Sequence, residues 1–179
     1  IDSGKMMTTK YDLLTKLDYS IDSSLLLAAA AKFNKDNIGL VVFDNEIRSY
    51  INPGTKSSIY NEILSKLYNI NPSHNKTNFN NILDFIKSRI RKKSIIFVFS
   101  ELYSRIVSNE MIKALKLLSK NHTVKLISFE EKNTRIYNDE IKDIAGWMIE
   151  KKMKLEKKSI IKELKEYGIQ TLLVNDTNV

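Results

Sequence analysis

Ser94-Ile95-Ile96-Phe97-Val98-Phe99-Ser100 is an apolar run that indicates the class of fold, and Glu101 follows it directly. Five consecutive β-branched or aromatic residues without a charge are typical of a strand that is covered on both faces. Ile38-Gly39-Leu40-Val41-Val42-Phe43 is a second such run, and residues 123–129 and 169–174 predict two further strands. Strands of this kind belong to a parallel sheet that is buried between helices.

Helical patterns separate these strands along the whole chain. Apolar residues recur at three- and four-residue steps within five segments, which are residues 10–33, 57–68, 77–90, 110–120 and 141–167. Residues 25–31 are apolar almost all round, so we expect that helix end to be buried. The alternation predicts one α/β domain over residues 1–179, with a doubly wound, mostly parallel central sheet and helices on both faces. Residues 47–51 predict one short antiparallel edge strand.

Composition excludes several classes of protein. The chain has 179 residues and a net charge of +8, and 42% of its residues are hydrophobic, as in a folded globular protein. It has no cysteine, which excludes disulfide scaffolds, cysteine–zinc sites and thiol nucleophiles. Its two histidines, His74 and His122, are too far apart in sequence for a zinc-protease helix.

The start of the chain resembles the end of a strand that enters a loop. Ile1-Asp2 is followed at once by Ser3-Gly4-Lys5. We therefore expect this chain to be a fragment that lacks most of its first strand and any upstream membrane anchor.

Oxygen-bearing side chains follow the predicted strands at the edge where such sheets bind ligands. Asp2 and Glu101 each come directly after a strand, and Thr77 opens a helix. Two carboxylates and a hydroxyl suit a hard cation such as Mg²⁺. No glycine-rich dinucleotide or phosphate loop is present, since Gly4-Lys5 is followed by Met6 rather than a hydroxyl residue.

Five segments, in this order, carry a resemblance. They are Asp2-x-x-x-Met6-Met7, Lys16-Leu17-Asp18-Tyr19, Lys35-Asp36-Asn37 with the strand after it, Thr77-Asn78-Phe79, and Ser100-Glu101-Leu102. Together they resemble a von Willebrand factor A-like domain of the bacterial "domain of unknown function 58" family. The resemblance covers nearly the whole chain and implies a Rossmann-like fold.

The resemblance implies a metal-ion-dependent adhesion site with substitutions. Asp2 and Thr77 keep the family's carboxylate and hydroxyl, Glu101 replaces an aspartate, and Gly4 and Met6 stand where two serines belong. Losing two hydroxyl ligands weakens an octahedral Mg²⁺ site. We therefore expect a degenerate site that requires no cofactor, or one that binds Mg²⁺ or Mn²⁺ weakly. Without metal, Thr77 would serve as a helix N-cap.

The resemblance also implies a non-enzymatic protein-interaction module that works as an adaptor for a MoxR-type AAA+ ATPase or other A-domain proteins. Asp44, Tyr103 and Arg105 would line the partner-binding rim. The expected location is the cytoplasmic, inner face of the cell membrane, reached only through an upstream segment. Two alternatives stay open, a metal-dependent hydrolase that uses Asp2 and Glu101, and a basic nucleic-acid-binding domain, which we do not favour.

The last predicted helix is strongly charged. Lysines alternate with Glu150 and Glu156, so residues 151–158 predict a solvated helix face. We expect Trp147 to pack this helix onto the sheet.

Overall fold

The computed structural model describes residues 1–130 and 140–174, and only the backbone of residues 140–145. The expected loop at residues 130–138 lies outside this part of the chain after Glu130. The chain divides into two compact units, Ile1–Ser88 and Arg89–Val179, and each is described by itself. The prediction of a single domain stays a prediction.

The first unit contains four short or medium strands and three helices. After a 3₁₀ turn at Lys5–Thr8, its elements are β1 (Lys10–Tyr11), β2 (Leu14–Thr15), α1 (Lys16–Phe33), β3 (Ile38–Phe43), β4 (Ile47–Gly54), α2 (Ile59–Tyr68) and α3 (Phe79–Arg89). Strands β3 and β4 pair antiparallel, with Val41 opposite Tyr50, which confirms the predicted edge strand and lengthens it. Asp2 forms a parallel bridge to Phe43 on β3.

Helix α1 begins six residues later than the apolar spacing predicts, so the prediction of a helix from Lys10 was wrong. Residues 10–15 instead form the small antiparallel hairpin of β1 and β2, with Asp12 in the left-handed region at φ 66°. Thr15 and Asp18 then form a capping box: the Asp18 N–H donates to Thr15 Oγ1, and the Thr15 N–H donates to Asp18 Oδ2. This reciprocal pair satisfies the first helical N–H groups and fixes the start of the helix.

The apolar end of α1 is less buried than expected. Within residues 25–31 only Ala28 is buried, and Leu26 is 73% exposed. The prediction that this end is well buried was therefore wrong. The core of the first unit comes instead from α2, α3 and the strands, with Val42, Ile51, Ile59, Ile63, Leu67, Ile82 and Leu83 buried.

The second unit is a parallel sheet with two long helices. Its elements are β5 (Ile95–Phe99), α4 (Arg105–Ser119), β6 (Thr123–Phe129), α5 (Glu140–Glu166) and β7 (Gln170–Val174). The strand order is β5-β6-β7, with Val98 beside Leu126 and Ile127 beside Leu172. The three strands fall where the apolar runs predict them, and α4 begins five residues earlier than predicted. Gly168, at φ +72°, ends the last helix as a C-cap, as expected.

No helix in the described part of the chain is both long and apolar enough to cross a bilayer.

Candidate functional site

Asp2 and Thr77 meet in the first unit as the resemblance implies. Thr77 Oγ1 donates a hydrogen bond to Asp2 Oδ1 at 2.7 Å, and the Gly4 N–H donates to the same oxygen at 2.8 Å. Asp2 is buried, so these donors replace the water that an ionised carboxylate needs. Thr77 does not cap α3, because Asn78 Oδ1 accepts from the N–H groups of Asn80 and Asn81. The N-cap expectation for Thr77 was wrong.

The absence of a side chain at Gly4 makes room for the hydrogen bond between Thr77 and Asp2. A Cβ atom at position 4 would lie 2.3 Å from Thr77 Oγ1 and 3.1 Å from the backbone oxygen of Asn75. A serine here, as the adhesion site requires, would therefore displace the Thr77 hydroxyl from Asp2. Met6, at the second serine position, is half-buried and offers only a thioether, a poor ligand for Mg²⁺.

Glu101 lies in the second unit, directly beyond the carboxyl end of β5. Its side chain is fully buried, and its Oε1 accepts a hydrogen bond from Lys157 Nζ on α5 at 2.9 Å. The Lys157 side chain is only 7% exposed, and its ammonium also donates to the backbone oxygen of Phe129 at the end of β6. A buried carboxylate requires a compensating charge, and this chain supplies one from its own lysine.

The donor groups of each unit, taken by themselves, do not fit a divalent cation. Asp2 is engaged by the Thr77 hydroxyl, Glu101 is engaged by an ammonium, and positions 4 and 6 offer no oxygen side chain. Among the side chains of residues 1–130 and 146–174, no three His, Cys, Asp or Glu are grouped so that they could hold a metal ion. The alternative of a metal-dependent hydrolase that uses Asp2 and Glu101 stays a prediction.

Asp44 follows β3 and is buried rather than presented to solvent. Its Oδ2 lies 2.7 Å from Arg48 Nη2, and the Glu46 N–H donates to its Oδ1. Burial opposes ionisation, but hydrogen bonds from Arg48, Ser73 and Glu46 outweigh it and lower the pKa of Asp44 from 3.8 to about 2. The group that faces solvent here is the half-exposed guanidinium of Arg48.

Tyr103 and Arg105 lie together where the chain leaves β5 and enters α4. The Tyr103 N–H donates to Ser108 Oγ, and its side chain is partly exposed. The Arg105 guanidinium lies 2.7 Å from Glu163 on α5 and is about half exposed. Hydrogen bonds from Lys116 and Arg105 lower the pKa of Glu163 despite its partial burial. The main chain of Tyr103 and the guanidinium of Arg105 are therefore held in place, and both side chains are at least partly accessible.

Sequence reasoning missed Lys157, the residue that balances Glu101. It was included in the predicted solvated face of residues 151–158, which is wrong for this one position. A usable signal existed, because Lys157, Ile160 and Leu164 follow one another at three- and four-residue steps and share the buried face of α5.

Two solved structures share the fold of this chain. One is the conserved hypothetical protein BatB from Bacteroides thetaiotaomicron, with a TM-score of 0.59 and 12% identity over 98% of this chain and 89% of that one. The other is the SpRpn10 VWA domain, with a TM-score of 0.55 and 10% identity over 98% of this chain and 86% of that one. The fold is thus that of a von Willebrand factor A-like domain, an α/β fold of the Rossmann-like type.

The family described as "Protein of unknown function DUF58" matches residues 1–139. The chain belongs to this family. Among curated proteins, no significant match was found.

Proposed function

We propose that this chain is a non-enzymatic protein-interaction module that needs no metal ion, and that it serves as an adaptor for a MoxR-type AAA+ ATPase. The von Willebrand factor A-like fold suggests a protein-interaction module. The proposed place of action is the cytoplasmic face of the cell membrane. The MoxR-type ATPase is the partner that the family resemblance implies.

The observation that carries the proposal is the ion pair between Glu101 and Lys157. In an adhesion site a divalent cation neutralises the acidic cluster and offers an open position to a partner's carboxylate. Here the buried ammonium of Lys157 already neutralises Glu101, and the Thr77 hydroxyl already satisfies Asp2. Without a bridging metal ion, a partner protein would bind by direct contact with side chains on the surface of this chain.

Tyr103 and Arg105 are the side chains best placed for that recognition. The ion pair with Glu163 orders the Arg105 side chain, so less of its side-chain entropy is lost on binding. The backbone hydrogen bond of Tyr103 fixes the main chain of that residue near the start of α4. Tyrosine and arginine are also the residue types most often found at the energetic centre of protein interfaces. Arg48, held by buried Asp44, adds a second exposed guanidinium.

Binding to a purified, nucleotide-free MoxR-type ATPase from the same organism tests the proposal. Tyr103→Ala and Arg105→Ala should each weaken binding about tenfold or more, a cost of about 1.4 kcal/mol. Lys113→Ala, an exposed cation on the same helix, is the matched control and should leave affinity unchanged. A chelator should have no effect on the complex.

Two results would overturn the proposal. No measurable complex would remove the ATPase as the partner, and loss of the complex on chelation would show that a metal bridges the two proteins.

A further inference from the structure

Helix α5 extends well beyond the sheet on which it packs. Its C-terminal end precedes β7, whereas Lys157, nine residues before Glu166, already reaches the carboxyl ends of β5 and β6 through Glu101 and Phe129. The helix therefore runs antiparallel to the strands. Residues 140–156 continue past the carboxyl edge of this sheet for about 25 Å at 1.5 Å per residue.

Burial changes abruptly along α5. Lys157, Ile160 and Leu164 are buried, whereas no residue between 146 and 156 is. Trp147 is 53% exposed and Met148 and Leu155 are each 60% exposed. The expectation that Trp147 packs the helix onto the sheet was wrong, because it lies on the part of α5 that extends past the sheet. Large apolar side chains are thus left in water on a helix that carries many lysines.

The exposed side chains have a definite arrangement around the helix. Met148 and Leu155 are seven residues apart and share one face, and Met148 is nine residues from buried Lys157, which places it on the opposite side at about 100° per residue. Lys151 and Lys152 flank this apolar strip on its two sides. Lys151 Nζ lies 4.5 Å from the centre of the Trp147 ring.

We propose that this face of α5, defined by Trp147, Met148, Lys151, Lys152 and Leu155, binds the surface of an anionic lipid bilayer. An apolar strip with Lys151 and Lys158 on one side and Lys152 on the other is the pattern of a helix that lies in the membrane interface. The apolar side chains enter the acyl boundary, while the long lysine side chains reach the lipid phosphates. The Trp147 indole and the Lys151 ammonium, which lie together, both favour the depth of the lipid headgroups.

Charge and hydrophobicity together favour a bilayer over a nucleic acid. Exposed lysines at 151, 152, 154 and 158 outnumber Glu150 and Glu156 on this part of α5, so it complements an anionic surface. A nucleic acid would attract the lysines but would leave Met148 and Leu155 in water. The inference is independent of the ATPase partner, and it places membrane contact within this chain rather than only in an upstream segment.

Vesicle binding tests the inference on the full chain. We expect it to sediment with vesicles that contain phosphatidylglycerol and not with vesicles of phosphatidylcholine alone, with a blue shift of Trp147 fluorescence. The partition coefficient should fall about tenfold or more in Lys151→Glu/Lys152→Glu and in Met148→Asp/Leu155→Asp. Both double variants change exposed positions, and circular dichroism checks that they remain folded.

Matched controls alter the same kinds of side chain elsewhere. Lys113→Glu on α4 and Leu26→Asp on α1 are exposed positions and should leave the partition coefficient unchanged. Failure to bind anionic vesicles at low salt would overturn the inference, as would an equal loss in the controls. Binding to DNA that depends on Lys151 and Lys152 but not on Met148, without vesicle binding, would assign the face to nucleic acid instead.

Discussion

Replacing Lys157 with methionine should destabilise the chain more than any other single change at a lysine. Methionine keeps the length of the side chain but removes the ammonium. Glu101, whose side chain is fully buried, then loses the charge that balances it, and the Phe129 carbonyl loses a donor. Removing one partner of a buried ion pair typically costs about 3–5 kcal/mol. For a chain of this size that cost corresponds to a fall in Tm of roughly 6–20 °C.

Urea denaturation followed by circular dichroism measures this cost, and a double-mutant cycle assigns it. Lys157→Met and Glu101→Gln are compared with the double variant, and exposed Lys113→Met serves as the control. Because the double variant has no uncompensated charge, it should recover about 2 kcal/mol or more relative to the sum of the single changes. The control should change the free energy of unfolding by less than about 0.5 kcal/mol.

If Lys157→Met unfolded at the same urea concentration as the parent chain, the ammonium of Lys157 would not stabilise buried Glu101. Additive effects of the two single changes would also contradict the prediction, because an additive cycle means that the two side chains do not interact.

Three further predictions concern stability. Gly4→Ala should cost about 1–3 kcal/mol because its Cβ would lie 2.3 Å from Thr77 Oγ1, and the cost should shrink when Thr77→Ala is present, as urea denaturation would show. The lowered pKa of Asp44 adds about 2 kcal/mol to the free energy of unfolding above about pH 4, and this stabilisation is lost as the pH falls towards 2. Urea denaturation at a series of pH values should show that Asp44→Asn removes this part of the pH dependence. Burial lowers the pKa of His122, so the unfolded chain takes up a proton there more readily than the folded chain, and the free energy of unfolding falls as the pH drops below about 6.5. In His122→Asn the urea midpoint should therefore change less between about pH 7.5 and about pH 5.5 than it does in the parent chain.

The strands of the second unit could be predicted closely from the sequence. β5 is an uninterrupted run of β-branched and aromatic residues, apolar residues predominate in β6 and β7, and Gly168 marks the end of α5. The start of α1 could not be predicted from periodicity, because Leu13 and Leu14 continue the apolar spacing into the hairpin. The Thr15-x-x-Asp18 signal was present, and it decided where the helix begins because a capping box satisfies N–H groups that apolar spacing does not address.

Part of the candidate site could be predicted from the sequence and part could not. The sequence indicated Asp2, Thr77 and Glu101 as candidate site residues, and Asp2 and Thr77 are in contact as the resemblance implies. The burial of Lys157 could have been predicted from its spacing to Ile160 and Leu164, but its pairing with Glu101 could not, because no spacing rule connects α5 with the end of β5. The burial of Asp44 depends likewise on a contact with Arg48 that no spacing rule predicts.

A calorimetric titration of the chain with Mg²⁺ and with Mn²⁺ measures whether the chain binds either metal ion. We expect no saturable heat up to millimolar metal, because Thr77 already engages Asp2 and Lys157 already engages Glu101. Saturable binding in the micromolar range, lost in both Asp2→Asn and Glu101→Ala, would contradict this expectation and would show that the altered adhesion site still holds a cation.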